Sequence, residues 1–351
     1  MQPPIIAQIK GQPSAHRPIW FMRQAGRSLP EYRDLRANIP MLDSCLNPEV
    51  AAEITCQPVR RHKVDAAVFF SDIMVPLKLA GIDVHIEPGV GPVLDKPILT
   101  MADVSALETH HLEGEEVITQ GVQLVTEELG RPDGTAPYTP VIGFAGAPFT
   151  LAAYMVEGRP SRDHLAARTM MYADPVAWHA LLDWCARISA DFVRAQIAGG
   201  ASIIQLFDSW AGSLGQANYV AHVVDHSATV LQAAHEAGVP TIHFGTGTNE
   251  FLPEMRDAGA DVVGVDHRIA LDEADRRLGH TVTLQGNIDP ALLAAPWEVL
   301  EQHIREVLDA GSKAPGHIVN LAHGVPPTTD PDVLTRIVEF VHEVTTDEHT
   351  N

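Results

Sequence analysis

Seven short apolar runs, spaced by stretches long enough for helices, constrain the fold of this chain more tightly than any other feature. They are Ala66–Asp72, Pro140–Gly146, Ser202–Ser209, Pro240–Phe244, Val262–Asp266, Thr281–Gln285 and Ile318–Ala322. A continuous apolar run marks a strand covered on both faces, and strands alternating with helices make a parallel sheet. The intervening segments carry helix signals. Asn47-Pro48-Glu49 reads as the N-cap, first position and first-turn acid of a helix running towards Lys63, with Pro58 expected to kink it. Asp174-Pro175 opens a long helix whose apolar positions, Leu181 to Ile197, keep helical spacing until Gly199-Gly200. Residues 81–100, rich in glycine and proline, read as irregular strand and loop. The count and the length of 351 residues fit a single (β/α)8 barrel better than an open doubly wound sheet. A dinucleotide fold is disfavoured: Gly245-Thr-Gly-Thr248 lacks a third glycine and a suitably spaced acid.

In such a barrel the functional residues gather where strands end. Those positions hold Asp72, Tyr154 a short way downstream of its strand, Asp208 and Ser209, His243, Asp266 and His267, Gln285 and Asn287, and His323. Singly, each has an ordinary explanation, since Ser and Asp after a strand often cap the next helix and a lone His is often a satisfied core residue. Together they converge with an unusual N-terminal stretch.

That stretch, His16 to Arg36, holds five arginines (Arg17, Arg23, Arg27, Arg33, Arg36) against Glu31 and Asp34, in a chain of formal net charge −21. An apolar run, Ile19 to Met22, precedes the turn residues Gly26 and Pro30. One reading is a folded loop that holds guanidinium forks against an anion. The other is a basic segment paired with the protein's own acids. The overall charge argues against general nucleic-acid or anionic-membrane binding, so only a local cluster could receive an anionic small molecule. Cys45, Cys56 and Cys185 are odd in number and widely spaced, which fits neither a disulfide framework nor a zinc motif and suits a reducing cytoplasm. No apolar run reaches the length of a membrane span, and the first residues lack a signal-peptide pattern. HExxH, CxxC, P-loop and Gly-x-Ser-x-Gly motifs are absent, and no lysine stands at a strand end. The domain reading is one unit over 1–351, with 1–15 a loose lead-in and 16–46 a basic loop.

Six longer motifs carry a family resemblance: RQAGRSLPEYR (Arg23 to Arg33), FFSDIMVP (Phe69 to Pro76), GFAGAPFTLAAYMVEG (Gly143 to Gly158), QLFDSWAG (Gln205 to Gly212), LQGNIDP (Leu284 to Pro290) and LAHGVPP (Leu321 to Pro327). In this order, over nearly the whole chain, they resemble the uroporphyrinogen decarboxylases. The resemblance implies a distorted (β/α)8 TIM barrel and conversion of the four acetate side chains of uroporphyrinogen III to methyls, giving coproporphyrinogen III and four CO2 on the route to haem. It also implies no metal or organic cofactor, a cytoplasmic homodimer and no nucleic-acid or membrane partner. By the same resemblance, Asp72 accepts hydrogen bonds from the pyrrole N–H groups, while Arg23, Arg27 and Arg36 grip carboxylates. Gln24, Ala25 and Gly26 belong to that loop. Tyr154, Ser209 and His323 bond peripheral carboxylates, and Phe207 and Met22 pack on pyrrole faces. Arg27, His323, Tyr154 and a substrate carboxyl are the alternatives for the proton donor. Ser28 stands where an aromatic is common, and Asp266-His267-Arg268 departs from the usual Asp-Trp-Thr/Ser. Two other functions fit the same fold: a zinc-dependent corrinoid or thiol methyltransferase, and a non-catalytic porphyrinogen-binding homologue. The methyltransferase pattern needs thiolates where this chain has Phe244-Gly245 and His323; the non-catalytic one should have lost Asp72 or the arginines.

Overall fold

The computed structural model describes residues 2–130 and 138–346; Met1, 131–137 and 347–351 lie outside the described residues. Each of the seven apolar runs overlaps a strand, the last by Ile318 alone: β1 (Ala67–Val68), β4 (Val141–Gly146), β5 (Ile203–Asp208), β6 (Thr241–Gly245), β7 (Val262–Gly264), β8 (Thr283–Gln285) and β9 (His317–Ile318). They form one curled parallel sheet in the order β1-β4-β5-β6-β7-β8-β9. Nearly every strand residue is buried, as a sheet covered by helices requires. Two further strands, β2 (Val84–Glu87) and β3 (Gly91–Leu94), make an antiparallel hairpin in the stretch expected to be irregular.

An eighth stave closes the curl. Ile19 bridges Val319 in parallel, Trp20 N–H donates to Val319 O, and Val319 N–H donates to Pro18 O. On its other side Asp65 N–H, just before β1, donates to Ile19 O. The apolar run Ile19–Met22 is therefore barrel wall, with Ile19, Trp20 and Phe21 fully buried. Inside the barrel, Trp20 Nε1 donates to Gln285 Oε1 at 3.0 Å and Gln285 Nε2 donates to Gln205 Oε1 at 3.0 Å, so the closing segment is tied across to β5 and β8. The result is a distorted (β/α)8 TIM barrel.

The helices follow the capping signals. Asn47 Oδ1 accepts from Val50 N–H at 2.9 Å, and the helix Pro48–His62 runs unbroken through Pro58. Asp174 Oδ1 accepts from Ala177 N–H at 3.1 Å; helix Pro175–Gly199 then stops at Gly200, whose φ of 111° only glycine adopts without strain. Each fully buried Leu, Ile or Phe on its inner face contributes about 1.5–3 kcal/mol. After β5 the chain forms two helices, Gln216–His222 and Val224–His235, broken at Val223.

Part of the stretch expected as a loose lead-in is folded. Pro4–Ile9 is a helix with Ile5, Ala7 and Gln8 buried. Gln8 plugs the N-terminal end of the barrel: its Oε1 accepts His317 N–H at 2.9 Å and its carbonyl accepts Thr283 Oγ1–H at 2.8 Å. Apolar residues at 5 and 7, flanked by prolines, carry the missed signal.

Candidate active site

At the C-terminal ends of the strands lies an open cavity of about 390 Å³. The closing segment runs directly into it. Residues 23–27 turn sharply there: Arg23 (φ 62°), Gly26 (φ 109°) and Arg27 (φ 40°) all occupy the left-handed region. Two non-glycine residues in that region within one loop persist only because the surroundings fix them. Met22 N–H donates to Asn320 Oδ1 at 3.0 Å and Val325 N–H donates to Met22 O at 2.8 Å. Gln24 braces the turn from beneath, its Oε1 accepting Phe21 N–H at 2.9 Å and its Nε2 donating to Ala66 O at 2.8 Å.

The guanidinium groups of this loop answer the question its charge posed. Most of the other arginines with a drawn partner sit in ion pairs: Arg60 with Glu53 and Glu128, Arg277 with Glu250 and Glu273, Arg268 with Asp266. Glu31, the loop's own acid, pairs with Arg61. Arg33 Nη2 donates to Ser28 O at 2.7 Å. Arg23, Arg27 and Arg36 have no carboxylate partner among the described residues, and all three line the cavity. Arg36 lies 5.3 Å over the Tyr32 ring, which meets Phe70 edge-on at 5.7 Å.

Opposite them, Asp72 follows β1. Its Oδ1 accepts Met74 N–H at 2.9 Å; Oδ2 has no protein donor among the described residues. Burial pushes its carboxyl pKa up, opposed by the Met74 bond and by the charge of Arg23. The cavity's inner wall is aromatic. Phe144 and Phe207 meet edge to face at 5.3 Å, and Phe207 and Phe244 at 6.1 Å. Ile86, Gly91 and Pro92 of the β2–β3 hairpin form part of the rim.

Of the residues expected from the sequence, Arg23, Ala25, Arg27, Arg36, Asp72, Phe207, Ser209, His323 and Met22 line this one cavity. Tyr154 is half-buried, its ring stacked on Trp210 at 3.8 Å. Burial, and then the charge of Asp72, push its phenol up to about 12. Gln24 and Gly26 do not line the cavity: the Gln24 amide is committed to the loop's own backbone. His323 has its pKa lowered, first by desolvation and then by Arg23 and Arg268.

The other strand-end candidates hold the frame. Thr150 Oγ1 donates to Asp208 at 2.9 Å, and His243 is fully buried behind the sheet beside Asp208. Asp266 accepts from Gly247 N–H and Arg268, while Asn287 Nδ2 donates to Asp266 O at 2.8 Å. Missed by the sequence were Tyr32, Phe70, Phe144, Phe244 and Ser71. Ser71 stands beside Asp72 with a buried hydroxyl that has no partner. Adjacency to Asp72 was the available signal for Phe70 and Ser71; Phe244 and Phe144 look in sequence like any core phenylalanine.

A parallel barrel with a cation-rimmed, aromatic-walled cavity at its C-terminal strand ends defines a barrel of the enzyme class. The sequence model of the uroporphyrinogen decarboxylase (URO-D) family matches residues 2–344. The chain is 63% identical over 341 residues to the uroporphyrinogen decarboxylase of Arthrobacter sp. strain FB24, covering 97% of each chain. It is 55% identical over 359 aligned positions to that of Leifsonia xyli, covering 96% of this chain and 93% of the other. The chain belongs to the uroporphyrinogen decarboxylase family. Among solved structures, a methyltransferase from Methanosarcina mazei superposes with a TM-score of 0.76 at 17% identity over 99% of this chain and 98% of that one, a likeness of fold alone.

Proposed function

We propose that this chain removes the carboxyl groups of the four acetate side chains of uroporphyrinogen III, giving coproporphyrinogen III and four CO2 in haem biosynthesis. The observation that carries the reading is three guanidinium groups without carboxylate partners among the described residues, Arg23, Arg27 and Arg36, lining one aromatic-walled cavity with Asp72. The substrate has eight carboxylates around a flat ring system with four N–H donors at its centre. Arginine forks suit the former and a carboxylate with a spare oxygen suits the latter.

The chemistry follows from charge. Protonation of a pyrrole carbon makes an iminium-like electron sink. The C–C bond to the carboxylate then breaks, its electron pair neutralises that cation, and CO2 leaves an exocyclic methylene. Protonation of the methylene gives the methyl, and loss of the ring proton restores the pyrrole. Each cycle takes up one proton for each CO2 released. Asp72 stabilises both cations at close range in a cavity of low polarity. A neutral His323 and Ser209 bond peripheral carboxylates. Tyr154, whose raised pKa makes it a weak acid, supports the pocket rather than supplying the proton. Arg27, His323 and a substrate carboxyl remain the donor candidates in contact with the cavity.

The methyltransferase alternative asks for thiolates at the places of Gly245 and His323. None of the three cysteines lines the cavity, and burial raises all three thiol pKa values. We assign the whole chain to one barrel domain, acting as a cytoplasmic homodimer without a cofactor; sedimentation velocity checks the dimer. The test of function is chromatographic. EDTA-treated protein given uroporphyrinogen under anaerobic light-shielded conditions should yield coproporphyrinogen through stepwise intermediates. No product, or product only after zinc is restored, would overturn the proposal.

A further inference from the structure

At the opposite end of the barrel from the cavity, three side chains from distant parts of the sequence meet. His16 precedes the closing segment, Asp65 precedes β1, and His342 lies in the last helix, Pro331–Thr346. His16 Nε2 is 2.7 Å from Asp65 Oδ1, and His342 Nε2 is 2.8 Å from Asp65 Oδ2. The imidazole rings lie 4.0 Å apart. One donor atom from each residue lies within 4.8 Å of the other two. Asp65 Oδ2 also accepts Ile19 N–H at 2.8 Å, which fixes the carboxylate in place. Side-chain exposures of 22%, 8% and 26% leave the group reachable from solvent at the two histidines and sheltered at the acid.

We propose that His16, Asp65 and His342 form a structural site for a divalent transition metal, with Zn2+ as its probe. Two imidazoles and a carboxylate are a borderline nitrogen–oxygen donor set, suited to zinc rather than to magnesium or calcium. Tetrahedral coordination with Zn–N of about 2.0 Å sets ligand atoms about 3.3 Å apart. The histidines reach this by turning about their side-chain bonds, while Ile19 N–H holds Asp65 from outside the coordination shell. A water takes the fourth position. The ion joins the closing segment, the start of β1 and the last helix, the three pieces whose meeting seals the barrel. It lies away from the cavity and takes no part in decarboxylation.

The experiment uses the full chain stripped with EDTA, dialysed against ZnCl2 at pH 7.5 and assayed for bound zinc and Tm. The comparison is the double variant His16→Gln/His342→Gln, whose amide groups can still donate to Asp65 but ligate metal poorly. Wild type should bind one more zinc per chain than the variant, and its Tm should rise by about 4 °C at a hundredfold excess over Kd. Equal zinc content in the two, or a Tm shift that the variant retains, would overturn the site. Neither readout depends on turnover, so failure here is separable from failure of the decarboxylase reading.

Discussion

At the residue scale, the contrast between paired and unpaired arginines makes a sharp statement. Replacing Arg27 by Lys removes a bidentate fork but leaves no orphaned carboxylate, because Arg27 has no acidic partner among the described residues. The expected result is a KM raised about tenfold, since one charge-assisted bond is worth roughly 1.5 kcal/mol, with an unchanged Tm. A fall in Tm with unchanged KM would mean a structural arginine. Tyr154→Phe removes a phenol whose raised pKa makes it a poor proton donor, so kcat should stay within about tenfold of wild type. A loss of a thousandfold or more would make Tyr154 the proton donor after all.

At the scale of elements, the closing segment decides where the arginines stand. Asn320 Oδ1 accepts both Met22 N–H at 3.0 Å and Leu321 N–H at 2.8 Å, in full burial. Asn320→Ala orphans two backbone donors and should cost about 2–4 kcal/mol in urea melts; a cost near zero would mean that the loop is not anchored there. Gly324 matters for a different reason: a Cβ there would meet Arg23 Cδ at 2.5 Å. Gly324→Ala should therefore displace Arg23 and raise KM while leaving the Tm nearly unchanged, and crystallographic comparison of the Arg23 rotamer checks it. The seven parallel strands were legible because each is a continuous apolar run with a helix-length segment after it. The eighth was not, because Ile19–Met22 is short, adjoins a block of arginines and forms only isolated bridges. Asp72, Ser209 and His323 were legible as polar residues ending buried strands. Tyr32, Phe144 and Phe244 of the cavity were not, since an aromatic facing a ligand and one facing the core have the same sequence.

At the scale of the whole molecule, buried histidines set the acid limit of stability. His317 is fully buried, its pKa lowered to about 3, and His62 is lowered to about 4, both chiefly by desolvation. The unfolded chain binds protons at these sites near the ordinary value of 6.5 while the folded chain does not. Their contribution is therefore complete above that value and declines as pH falls towards 3–4. Urea melts should lose up to about 1.4 kcal/mol per pH unit for each such group below pH 6, and His317→Gln should flatten the slope. A net charge of −21 does not prevent polyanion binding, because distant surface acids are screened over about 8–10 Å while the arginine loop acts at contact. The proposed chemistry rests most on Asp72, the carboxylate that lines the cavity with those arginines. Asn at position 72 can keep the Met74 hydrogen bond and removes a charge whose burial is unfavourable, so Asp72→Asn should fold as stably as wild type. Side-by-side turnover of uroporphyrinogen by the two proteins is the direct measurement. A central Asp72 carboxylate predicts a loss in kcat of at least about a thousandfold at unchanged Tm, and turnover within a few fold of wild type would contradict that role.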